Sequence, residues 1–214
     1  MVARVAAKDV AGFVAAAGVL AHYVGDACQP LHSSYLDDGD PFRQPDGTVV
    51  TKPLDHGKGY GHGVHEVYEK DMIDEKAVLT LIPALRTKLN TPHTMTLVTG
   101  GQAAGFAIVE LTRRVRGAIK PMDIVEAYAK SLTALAKNKR AGNLWDKFGT
   151  ETTAAMVDGC RTLAMLWDSA WAEGGGNQVE QTKIRKITQK SLQKIYESQD
   201  FVPSKALGKI DPYL

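Results

Sequence analysis

The sequence predicts an all-α protein, a single-domain multi-helix bundle. Two observations predict it. Apolar residues recur at three- and four-residue spacing along most of the chain, and Gly- or Pro-rich breaks separate these runs at helix-length intervals. The length of 214 residues is enough for one full core and short for two. The sequence shows no internal repeat, heptad or low-complexity tract.

The first helix is expected over residues 9–26. Asp9 is its N-cap, and Val10, Phe13, Val14, Ala17, Leu20, Ala21 and Val24 form the apolar stripe. Gly12 and Gly18 are mild faults in it, of the kind that mark close packing. Pro30 ends the run, because its ring cannot continue the helical ladder. Residues 33–61 are dense in Gly, Pro and Asp and read as a long loop, with room for a short hairpin at 48–53. Helix resumes near His62, with Val64, Val67, Tyr68 and Met72 apolar, and fades near Lys76. The spacing then predicts helices over 77–89, interrupted at Pro83, and over 99–116. A helix over 121–137 follows, with Pro121 at its first position. A long amphipathic helix over 150–171 carries Met156, Cys160, Leu163, Ala164 and Trp167 on one stripe. Gly174–Gly176 stops it, and a basic last helix is expected over 179–198.

Composition excludes little. Hydrophobic residues make up 44% and charged residues 23%, and a net charge of +2 is too small to argue for a polyanionic partner. Two cysteines, Cys28 and Cys160, allow one disulfide or two buried thiols and do not fix a redox compartment. No uninterrupted apolar run of 18 residues occurs, so no transmembrane segment is expected. The stretch before His22 faintly resembles a signal peptide. It runs directly into the motif below, however, and reads better as an alanine-rich core helix. No obligate protein partner is evident.

The chemistry is concentrated between His22 and Glu69. His22 and Asp26 stand one turn apart on one helix face, and Gln29-Pro30-Leu31-His32 follows at the helix end. His65 and Glu69 repeat the four-residue spacing on the next helix. His62 and Glu66 offer an alternative pair in the same helix. Zinc takes imidazole nitrogens and carboxylate oxygens, and hydrolytic zinc sites keep one position open for water. Asp37, Asp38 and Asp40 lack the twelve-residue calcium-loop pattern and read as a solvated turn. His56 and His93 read as surface residues, and Trp145, Trp167 and Trp171 as core.

His22, followed by Gly25-Asp26-Ala-Cys-Gln29-Pro30-Leu31-His32, resembles the signature of the three-zinc single-strand-specific nucleases. Zinc-dependent phospholipase C belongs to the same superfamily. His65-Glu-Val-Tyr-Glu69 fits that family's later ligand pair. The resemblance implies a mostly helical fold in which His32, His65 and Glu69 bind one Zn2+. His22 and Asp26 would belong to two further, half-built zinc sites, with Asp26 as the bridging catalytic carboxylate. It also implies a zinc-dependent phosphodiester hydrolase, an endonuclease on single-stranded DNA or RNA, and a secreted or periplasmic setting. Phospholipase C activity, or a zinc-binding remnant with impaired catalysis, is the alternative. Upstream ligands of the family are not found before His22, which predicts an N-terminally incomplete domain.

Overall fold

The computed structural model describes residues 1–180, 182, 186–198 and 201. The described chain is all-α. Its helices are α1 (Val2–Ala6), α2 (Val10–Ala27), α3 (64–89), α4 (Gly100–Ala118), α5 (Pro121–Ala134), α6 (Arg140–Glu173) and α7 (Gln189–Tyr196). Among the described residues there is no strand. The 48–53 stretch contributes only an isolated bridge between Arg43 and Val49, and Asp40 pairs likewise with Tyr60. A sheet edge of one residue pair cannot build a hairpin, so the loop stays irregular.

The helix boundaries follow local chemistry. The Asp9 carboxylate accepts a hydrogen bond from Gly12 N at 2.9 Å, satisfying a donor that the start of α2 would leave orphaned. Pro83 does not interrupt α3. Residues Ala77–Leu81 form a wider π turn, and Pro83 then sits at the start of the α-helical segment Ile82–Leu89, where a missing N–H is tolerated. Gly175, at φ 76°, lies just past α6 in the left-handed region that a Cβ disfavours. The basic last helix is shorter than the sequence reading. Thr188 caps it through a reciprocal pair of hydrogen bonds with Ser191, and Lys183 and Arg185 lie outside the described residues.

The expectation of a single domain meets a division into two compact units, which falls within α2, α4 and α6. The first comprises 1–25, 94–109 and 160–214, and the second 26–93 and 110–159. In the first unit Phe13 meets Trp171 edge-on at 5.1 Å between centroids, and Trp167 Nε1 donates to the Ala17 carbonyl at 3.2 Å. Helix α2 is long and apolar enough to cross a membrane, with mean hydropathy 1.4 and 28% of that stretch buried. A core helix and a leader sequence share that property.

The second unit holds the main apolar cluster. Leu31, Leu36, Val64, Tyr68, Met72, Ile119, Ile124, Val125, Tyr128 and Leu144 are among its buried members, and Trp145 and Phe148 pack against it. Cys28 is half-buried, its sulfur against the backbone of Gly159, so a side chain at 159 would collide with it. Cys160 is exposed rather than buried, and neither cysteine is in a disulfide.

Candidate metal centre

Two short pieces of backbone, both in the second unit, present the site. The first is a single tight turn, Pro30–Ser33. The Gln29 side chain accepts from Leu31 N at 2.8 Å, and Pro30 fixes the first backbone angle of the turn. Pro30 and Leu31 are buried and anchor the turn in the core, which leaves His32 at the surface.

The second piece is the start of α3. Val64, Tyr68 and Met72 recur every four residues and face inward, each at most 2% exposed. His65 and Glu69 each follow one position later and therefore lie at the rim of that buried face. Gly63 precedes the helix at φ 90°, a left-handed conformation suited to glycine. Glu69 lies in a π turn, Val67–Asp71, that the apolar spacing did not reveal. Beneath it the Tyr68 hydroxyl is 2.8 Å from Thr152 Oγ1, and burial pushes its pKa up to about 12.

The donors converge. One ligand atom from each of His32, His65 and Glu69 lies within 4.8 Å of the other two, close enough to serve a single metal ion. Glu69 Oε2 stands 2.6 Å from His65 Nε2 and 3.1 Å from His32 Nε2. Ligands on a tetrahedral zinc at about 2.0–2.1 Å sit roughly 3.3 Å apart, so both Glu69 contacts, at 2.6 and 3.1 Å, lie within 0.7 Å of that spacing. On its other nitrogen, His65 Nδ1 is 2.9 Å from Asp37 Oδ1 and 3.1 Å from the Asp37 carbonyl.

This crowding shifts the titration of the cluster. Burial disfavours the charged form of His65. The Asp37 carbonyl and the Asp37 and Glu69 carboxylates outweigh it, so its pKa is raised from 6.5. Burial likewise opposes ionisation of Glu69, but the hydrogen bonds and charges of His32 and His65 prevail, and its pKa is lowered from 4.5. Stability drawn from His65 is therefore present below about pH 6.5 and lost as pH rises through its raised value. Stability drawn from Glu69 is present above about pH 4.5 and lost as pH falls through its lowered value. Both act together between those limits. Thermal melts of metal-free protein across pH are expected to show this contribution, and Glu69→Gln to flatten it on both flanks. An identical profile for Glu69→Gln would contradict the assignment.

The other residues singled out in the sequence fall elsewhere. Asp26 Oδ1 is 3.8 Å from His32 Nδ1, on the side of the ring away from Glu69. His22 is an exposed residue of the first unit, its ring 5.6 Å from that of Tyr23. Neither belongs to the three-donor group, and neither do His62 and Glu66. His62 Nδ1 instead pairs with Asp38 Oδ2 at 2.7 Å, and its ring meets that of His56 at 5.9 Å. His93 is exposed.

Of the acidic triplet only Asp37 is solvated. Asp38 Oδ1 accepts from Gly63 N at 3.0 Å and from His65 N at 3.1 Å, tying the loop to the start of α3. Asp40 is 3% exposed, and its carboxylate accepts from Phe42 N and pairs with Arg43. Sequence reasoning missed the role of Asp38 because its partners, Gly63 and His65, lie 25 and 27 residues away along the chain.

The fold and site together define a helical protein with a two-histidine, one-glutamate group suited to a metal ion. No family model matches the chain, and no solved structure does. The chain is 40% identical, over 215 aligned residues, to a probable serine protease of Bradyrhizobium tropiciagri. The match covers 98% of this chain but only 27% of that protein, so the chain spans about a quarter of the relative's length. This similarity overturns the expectation of a zinc-dependent nuclease or phospholipase C acting on phosphodiesters. The misreading came from carrying a family's substrate over with a resemblance in its ligand motif, which specifies metal donors and says nothing of the bond to be cleaved. Five serine hydroxyls of this chain are engaged with main-chain groups: Ser33, Ser34, Ser131, Ser169 and Ser191.

Proposed function

We propose that this chain is a zinc-binding helical module of a longer peptide-bond hydrolase. The observation that carries the metal half is the convergence of His32, His65 and Glu69 donors within 4.8 Å. Two imidazoles and one carboxylate form a donor set common to zinc, and the partial exposure of His32 and Glu69 leaves an open side. The hydrolase half rests on the relative named as a probable serine protease. A zinc ion held there would act as a Lewis acid and tie the Pro30–Ser33 turn to α3.

The chain's own residues do the holding. Leu31 and Val64 root the two pieces in one core, His32 and His65 present Nε2, and Glu69 presents Oε2 toward both. Five of its seven serines have hydroxyls engaged by the backbone, which supports a metal-binding part for the module and serine chemistry in other parts of the longer protein.

Two measurements on the purified chain test this reading. Elemental analysis after chelator-free purification is expected to give one zinc per chain. Labelling with a serine-directed fluorophosphonate is expected to leave the chain unmodified. Zinc well below one equivalent would remove the metal half. A labelled serine within this chain would contradict the division of labour.

A further inference from the structure

Asp37 approaches His65 in a way that neither the ligand spacing nor the relative suggests. We infer that Asp37 is a positioning residue for the metal centre, holding the His65 ring in the tautomer and orientation that turn Nε2 toward Glu69 and His32. The inference rests on the proposed metal site and deepens it.

The geometry is specific. Two acceptors of one residue, the Asp37 carboxylate at 2.9 Å and its main-chain carbonyl at 3.1 Å, both lie at Nδ1 of His65. A neutral imidazole carries one proton. Nδ1 has two acceptors and Nε2 one, Glu69 Oε2 at 2.6 Å, so the proton is held at Nδ1 once a metal takes the Nε2 lone pair. Metal-bound histidines commonly donate their second nitrogen to a carboxylate or carbonyl in this way, and loss of such a partner typically weakens metal affinity roughly 10–100-fold.

The neighbouring residue makes the alignment firm. Asp38 Oδ1 takes the backbone N–H groups of Gly63 and His65, so the loop carrying Asp37 is fastened to the same turn of α3 that carries the ring. Asp37 itself is 61% exposed in its side chain, so it acts through a directed hydrogen bond rather than a buried field.

The test combines zinc titration with 15N NMR of the imidazole. In metal-free Glu69→Ala, where that carboxylate no longer competes at Nε2, His65 in alkaline buffer is expected as the Nδ1-protonated tautomer. Adding Asp37→Ala to that variant is expected to mix the tautomers, and Asp37→Ala alone to weaken zinc binding about tenfold, the low end of that range because the main-chain acceptor remains. Asp37→Asn, which keeps a side-chain acceptor, is expected to recover part of both. In the same alkaline buffer, where His65 is neutral, the melting temperature of metal-free Asp37→Ala and Asp37→Asn is expected to match wild type, which separates positioning from a loop-stabilising role.

An Nε2-protonated His65 in metal-free Glu69→Ala would overturn the inference, as would Asp37→Ala binding zinc like wild type. A loss of affinity matched by a lower melting temperature in both variants would also overturn it. If wild type binds no zinc, the proposed function falls, while the tautomer measurement still decides the role of Asp37.

Discussion

Replacing His32 by alanine is expected to strip the protein of its tightly held metal. The turn that carries His32 contributes no other donor to the group, so the variant would hold an ion by one imidazole and one carboxylate from a single helix. Two donors at a partly exposed rim leave the ion mostly to water. The loss should exceed the roughly 10–100-fold that removal of an outer partner costs, enough for the metal to leave on dialysis. His22→Ala is the matched control, because His22 lies outside the three-donor group, and it is expected to keep its zinc. Metal analysis of both variants side by side checks the pair. Full retention in His32→Ala would mean that the ion sits elsewhere.

Tyr68→Ala is expected to produce the largest loss of stability. The ring is 2% exposed, belongs to the core under the site and stands edge-on to Phe148 at 6.3 Å. Truncating a buried aromatic to alanine typically costs about 3–5 kcal/mol, a large share of the roughly 5–15 kcal/mol that holds a domain together. Tyr68→Phe keeps the ring but strands Thr152 Oγ1 in a buried setting, at a cost of about 1–3 kcal/mol. Pairing it with Thr152→Val should return part of that loss, because the orphaned hydroxyl goes too. Denaturant unfolding of the four proteins measures the cycle. Full additivity of Tyr68→Phe and Thr152→Val would show that the two hydroxyls are not coupled.

The helical class was legible because the cue for it is local. Val64, Tyr68 and Met72 announce a buried face by spacing alone, and Asp9 announces the start of α2. The donors were legible only in part: spacing put His65 and Glu69 on one helix with His62 and Glu66 as a rival pair, and the family resemblance rather than spacing added His32. What stayed hidden depends on contacts distant in sequence. Asp38 finds the backbone of Gly63 and His65 only after residues 39–61 fold back, and Asp40 becomes buried only through its pairing with Tyr60 and Arg43. The π turns at Val67–Asp71 and Ala77–Leu81 also leave no mark in the apolar pattern. Substrate was the least legible of all. His65 and Glu69 point to a cation to be held and carry no information about an ester or amide substrate.

The central claim is that His32, His65 and Glu69 hold one ion together, and X-ray absorption at the zinc edge tests it most directly. The account predicts two imidazole nitrogens with oxygen making up the remaining positions, all at about 2.0–2.1 Å, and loss of one imidazole in His65→Ala. A sulfur neighbour near roughly 2.3 Å would instead assign the ion to a cysteine and contradict the three-donor site.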